Sequence, residues 1–148
     1  MAVQTLANLL ENLAGSRFHP EARLLTWHPR GVFDDAVAAR VVDLLESEES
    51  LGGDPFNCFT DLSGLSEIRM RIGHLASIAS RRHSAFDPPK SAFFANTSVA
   101  IGICRIYEEF MQDACIQVRV FRGRAEAAEW LGVPAALLED GPDGMDKP

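Results

Sequence analysis

A strand, a turn and a helix follow one another four times along this chain, and that repeat restricts the fold more than any single motif. The run Arg23-Leu24-Leu25-Thr26-Trp27 is rich in strand formers and stops at His28-Pro29-Arg30-Gly31, where Pro and Gly break pairing. Asp34 or Asp35 can cap a helix that repeats Val37, Val41 and Leu44 or Leu45 on one face, and Gly52-Gly53-Asp54-Pro55 ends it. The second unit reads as a strand from Phe56 to Thr60 and a helix from Leu65 or Ser66 to Arg82, with Ile68, Ile72, Leu75 and Ala79 inward and the arginines outward. The third is the strand Ser91 to Ala95 after Asp87-Pro88-Pro89. Its helix is capped by Asn96, Thr97 or Ser98 and places Val99, Ile103, Ile106 and Phe110 on one face. The fourth is the strand Ile116 to Phe121 and a short helix from Arg124 to Leu131, closed by Gly132. Parallel neighbours need crossover connections, and here the crossovers are helices. The expected fold class is therefore α/β: a single domain whose mainly parallel or mixed sheet of four to five strands is flanked by helices.

Two stretches fall outside the repeat. Residues 1–18 form an N-terminal helix or extension, in which Val3, Leu6, Leu10 and Leu13 share a face before Gly15; the helix would cover a sheet edge or mediate self-association. Residues 19–138 form the domain. Residues 139–148 are acidic and rich in Gly and Pro, so a mobile tail is expected. With 148 residues, 47% of them hydrophobic, the chain can bury a core without staples. No apolar run is long enough to cross a bilayer and no secretory leader is recognisable, so a cytoplasmic location is expected. Cys58, Cys104 and Cys115 are odd in number and far apart, which suggests reduced thiols packed as small hydrophobes.

Charge excludes one class of function. A net charge of -7 argues against nonspecific nucleic-acid binding, which needs a cationic surplus. The distribution is uneven: Asp34, Asp35, Asp43, Glu46, Glu48, Glu49 and Asp54 face only Arg40, whereas Arg69, Arg71, Arg81, Arg82 and Lys90 face only Glu67 and Asp87. Both are read first as solvated outer faces of amphipathic helices. The sharper alternative is a basic rim, with Arg69, Arg81 and Arg82, for an anionic ligand or an acidic partner.

Chemistry concentrates in Phe56-Asn57-Cys58-Phe59-Thr60-Asp61-Leu62-Ser63-Gly64-Leu65, read as a buried strand running through a polar turn into a helix. Asp61 and Ser63, followed by Gly64, suit a turn that carries a phosphoryl group on Ser63, favoured by the free N–H groups of a first helical turn. On local signal alone the first reading is that Asp61 and Ser63 only close the turn and cap the helix. There is no Gly-x-Gly-x-x-Gly and no Walker-type loop, and His19, His28, His74 and His83 lack metal-ligand spacing, so no cofactor and no metal are expected. A Cys nucleophile needs a His base close in space. The placement of the three thiols in strands and a helix weighs against one, and no enzymatic activity is expected. Trp27 and Trp130, with Phe33, Phe56, Phe59, Phe93, Phe94, Phe110 and Phe121, fall largely on predicted core elements, with an apolar ligand cavity between sheet and helices as the functional alternative.

Several phrases, in order and spacing, resemble the STAS domain group and its SpoIIAA-like branch, whose fold is similar to that of CRAL-TRIO lipid carriers. They are Leu24-Leu25-Thr26-Trp27 with Gly31-Val32-Phe33-Asp34, Phe59-Thr60-Asp61-Leu62-Ser63-Gly64-Leu65, Gly102-Ile103-Cys104-Arg105-Ile106-Tyr107-Glu108, and Val120-Phe121-Arg122 with Ala127-Ala128-Glu129-Trp130-Leu131-Gly132. In anti-sigma factor antagonists of this group, a Ser two residues after an Asp and just before Gly-Leu is phosphorylated by a partner kinase. The resemblance thus implies a noncatalytic regulatory or interaction module, switched at Ser63 with Asp61 and Gly64 in support, whose partner is a kinase or an anti-sigma-like regulator. The alternative it implies is a carrier that binds a lipid-like, apolar or amphipathic anionic small molecule between sheet and helices. A homodimer through the N-terminal helix is a further expectation.

Overall fold

The computed structural model describes residues 13–49, 54–83, 85 and 89–139. The expected N-terminal helix and acidic tail lie almost wholly outside these residues. Five strands form the main sheet: β1 (Ser16–His19), β2 (Leu24–Trp27), β4 (Asn57–Asp61), β6 (Lys90–Phe94) and β7 (Gln117–Phe121), in the order β1-β2-β4-β6-β7. All neighbours are parallel except β1, which returns antiparallel on β2. This edge strand was not anticipated. It is joined to β2 through a 3-10 turn opened by Pro20 and closed by Arg23 in the left-handed region at φ 47.

The helices are α1 (Asp35–Glu49), α2 (Ile72–His83), α3 (Ser98–Phe110) and α4 (Arg124–Leu131). The steps β2 to β4, β4 to β6 and β6 to β7 all move the same way across the sheet. Right-handed crossovers therefore put α1, α2 and α3 on one face, while α4 folds back on the other. The caps are those suited to the sequence. Asp34 accepts from the Val37 N–H at 3.0 Å, Thr97 accepts from the Ala100 N–H at 3.2 Å, and Gly132 ends α4 at φ 73.

The second unit departs from expectation. Leu65 does not begin a helix: β4 ends in a 3-10 turn, Leu62–Gly64, and the chain continues as β5 (Leu65–Arg69) before α2 starts at Ile72. Strand β2 breaks in the same way at His28-Pro29-Arg30 and resumes as β3 (Gly31–Asp34), with Gly31 at φ 80. The two continuations pair in parallel as a separate ribbon, Phe33 opposite Ile68. Side by side, the breaks are close: a Cβ on Gly64 would come within 3.3 Å of the Pro29 carbonyl and of Arg30 Nη1. A residue without a side chain lets the two turns pass.

Alternation along the strands sorts the core into two layers. On the α4 side, Leu24, Phe59, Ala92 and Phe94 pack on Ala127, Ala128, Leu131 and Leu138. On the other, Leu25, Trp27 and Cys58 meet α1 through Val37, Val41 and Leu44, and further along α1 and α2 meet through Ala38, Val42 and Ile78. On α2, Leu75 and Ala79 are inward as expected, joined by Ile78 and Arg82, while Ile72 is exposed. On α3, Val99 and Phe110 are exposed, and Ala100 and Cys104 are buried.

Candidate functional site

The Asp61–Ser63 turn lies at the C-terminal end of β4, on the α4 side of the sheet. Asp61 is 2% exposed, and its oxygens are fully engaged. One accepts from the Ser63 N–H at 2.9 Å and the Ser63 hydroxyl at 2.6 Å; the other accepts from Arg124 at 2.7 and 3.2 Å. Arg124 Nη2 also donates to the Ser63 hydroxyl oxygen at 3.3 Å, and its guanidinium lies 4.4 Å from the centroid of the Phe94 ring. His28 completes the cluster, with Nε2 3.0 Å from the Leu138 carbonyl oxygen and 3.6 Å from Asp61. Three separate stretches, β4, the β2 break and the start of α4, thus converge on one carboxylate.

This arrangement corrects one part of the sequence reading. No α-helix starts at Ser63, so no helical N–H groups await an anion there; Asp61 caps a 3-10 turn instead. The carboxylate that accepts the Ser63 hydroxyl is at the same time matched by the Arg124 guanidinium. Arg124, 61 residues beyond Ser63, was not marked by the sequence, because an arginine at a helix start carries no local signal of a distant ion pair.

The expected basic rim does not assemble. Arg69, on β5, is exposed and pairs with Glu67 at 2.7 Å. Arg81 reaches from α2 to Asp43 at 2.7 Å and Glu46 at 2.6 Å on α1, so it is spent on an ion-pair bridge between the two helices. Arg82, expected outward, is 2% exposed.

Arg82 borders a second candidate site. Between the sheet and α1, α2 and α3 lies an apolar cavity of about 150 Å³. Its floor is built from Cys58 and Thr60 on β4 and Ser91 and Phe93 on β6, which are cross-strand partners in register. Its walls include Ala38, Ile78 and Cys104, and Phe33, Ile68 and Met70 of the ribbon region reach over it. Side-chain size contributes: Cys58 and Ser91 on the floor and Ala38 and Cys104 on the helices are small and leave space that Ile or Leu would fill. Those small residues at alternate strand positions were the available sequence signal. Burial pushes the Cys104 thiol up to about 12, so it stays protonated and unreactive. Tyr107, also at the wall, is likewise pushed up to about 12 by burial, against the pull of Arg82. Cys58 and Cys104 are buried as expected, but Cys115 is exposed. Among the described residues no group of three or more His, Cys, Asp or Glu side chains is placed to hold a metal ion. No described helix is long and apolar enough to cross a membrane.

No protein-family profile matches the chain. No curated protein matches it either. Its backbone is similar to the crystal structure of an uncharacterized protein of the DUF3478 family, with a SpoIIAA-like fold, from Shewanella loihica PV-4. The TM-score is 0.50 and the sequence identity 14%, and the match covers 73% of this chain and 83% of that one. This likeness establishes the architecture: the chain has a SpoIIAA-like α/β fold.

Proposed function

Taking the SpoIIAA-like fold as premise, we propose that this chain is a noncatalytic binding module that carries a small apolar molecule between its sheet and helices α1 to α3. The observation that carries this reading is the cavity of about 150 Å³, walled almost wholly by apolar side chains. Cavities of this character stay dry and take up apolar guests of matching size. The commitment of Asp61 to Arg124 and the protonated state of Cys104 support the noncatalytic part. Free thiols at Cys58, Cys104 and Cys115 support a cytoplasmic place of action. The test is native mass spectrometry of the protein drawn gently from its own cells. A noncovalent small molecule, absent from a Cys104→Leu variant that fills the cavity, is the expected result, and a bare mass for both proteins contradicts it.

A second reading is favoured by Arg124, which stands 3.3 Å from the Ser63 hydroxyl oxygen. A phosphoryl group on Ser63 would remove the hydroxyl's donor bond to Asp61, set two anions side by side and draw Arg124 off the buried carboxylate. The cluster that ties β4, α4 and the Leu138 turn together would loosen, and the surface offered to a protein partner, a kinase or regulator included, would change. One phosphoryl group located on Ser63 in the same mass measurement, lost in Ser63→Ala, is the result this reading expects. An unmodified Ser63 in protein from growing and starved cells alike contradicts it.

A further inference from the structure

Carriage of a purely apolar molecule gives no reason for two hydroxyls on the cavity floor. Thr60 on β4 and Ser91 on β6 belong to central strands of the main sheet, each paired in parallel on both sides, where positions facing a core are ordinarily Val, Ile or Leu. Both are half-buried, and among the described residues neither side chain has a hydrogen-bond partner. Each hydroxyl brings one donor and two acceptor sites, and a hydroxyl away from bulk water is costly unless it is paired. Register places the two together. Cys58 lies opposite Ser91 and Thr60 opposite Phe93, so Thr60 and Ser91 are diagonal neighbours on the cavity face of adjacent strands. The wall around them is hydrocarbon: Ile78 from α2, Ile103 from α3, and Phe93 with the Tyr107 ring edge-on to it, 6.0 Å between centroids. A water set between the two hydroxyls would have two partners, the low end of what holds a buried water. A guest oxygen that donates to one and accepts from the other makes the same bonds while its body covers the hydrocarbon.

Charge and size narrow the class. The lining includes no Asp or Glu among the described residues, and its one cation, Arg82, already has partners within the protein. Two neutral hydroxyls suit a neutral polar group, because an ion would lose far more hydration than they return. A cavity of about 150 Å³ is in the range that accepts a guest as large as benzene. It falls below the roughly 300 to 1,000 Å³ of sites for larger ligands, so a phospholipid or a long acyl chain does not fit inside. We infer that the cavity takes a small uncharged alcohol or phenol, whose hydroxyl bridges Thr60 and Ser91 while its body lies against Ile78 and Phe93. This rests on the carrier reading and gives its guest a chemistry.

Phenol, toluene and benzoate, three single-ring guests, separate the two claims when titrated into the wild-type protein by calorimetry and ligand-observed NMR. The wild-type protein should bind phenol and toluene, and benzoate about tenfold or more weakly than phenol. Thr60→Val keeps the side-chain shape and removes the hydroxyl. It should weaken phenol about tenfold, the scale of a polar group left without its partner, and spare toluene. Ser91→Ala should weaken phenol about threefold and likewise spare toluene. If toluene binds and phenol does not, the inference falls and the carrier reading stands. If phenol binds both variants as tightly as it binds the wild-type protein, the two hydroxyls are not its receptor and the inference falls. Benzoate binding as tightly as phenol overturns the uncharged class. If none of the three binds the wild-type protein, both readings fall. Should Thr60→Val not fold, Ser91→Ala and the three wild-type titrations decide alone.

Discussion

On the α4 side of the sheet, Leu24, Phe59 and Leu138 are fully buried, and the buried charge there, Asp61, is matched by Arg124 and both polar groups of Ser63. On the side of α1 to α3, small side chains leave a cavity of about 150 Å³, and the buried charge is Arg82 at its wall. The same strands supply both surfaces, and only the parity of the residue differs: Phe59 and Asp61 point one way, Cys58 and Thr60 the other. A face whose buried carboxylate is matched by a guanidinium and a hydroxyl reads as a fixed joint. A face that leaves space among its side chains reads as a place for something else.

The largest effect expected from breaking this comparison is at the joint. Arg124→Met leaves the Asp61 carboxylate buried without its cation and should cost about 3–5 kcal/mol in chemical denaturation. The double variant Asp61→Leu with Arg124→Met should recover most of that loss, because no buried charge remains. A single-variant loss too small to measure would mean that Asp61 is hydrated and the joint is not closed. Next come opposite responses to added bulk. Ala127→Leu, at a fully buried position of the α4 layer, should destabilise by about 1–3 kcal/mol through overpacking. Cys104→Leu, at the cavity wall, should stabilise by about 0.5–2 kcal/mol while excluding any guest. Equal destabilisation by the two would erase the distinction between the faces.

Smaller effects sharpen it. Ser63→Ala should cost about 1 kcal/mol, since Asp61 keeps the Ser63 N–H and Arg124. The smallest lies on the outer surface. Arg71 holds the Asp35 carboxyl below its ordinary value of 3.8, so the folded state gains from this pair above that value and loses the gain as pH falls through the depressed one. Asp35→Asn should therefore flatten only the most acidic part of a stability-versus-pH curve, and only slightly, because the pair is exposed.

The repeat of strand and helix was legible because each unit carries its own punctuation: Pro29 and Gly31, Asp34, Thr97, Gly132. The ribbon of β3 and β5 was not. Ile68 fits the helical period of Ile72, Leu75 and Ala79, and what takes Leu65–Arg69 out of the helix is pairing with Gly31–Asp34, more than thirty residues away. Arg81 and Arg82 are chemically alike in the sequence, yet a step of about 100° around the helix puts one against α1 acids and the other at the cavity wall. Asp61 and Ser63 drew notice through their spacing. Arg124 and His28, which complete that cluster, are joined to them only by the fold.

The central claim is that the face of the sheet toward α1 to α3 holds a real, fillable space. A crystal of the wild-type protein pressurised with xenon tests it most directly, since a preformed apolar cavity of this size takes up the gas without rearrangement. The account predicts one ordered xenon among Ile78, Phe93 and Cys104, absent in Cys104→Leu. A core closed on itself, with those three side chains in contact and no xenon between them, would contradict it.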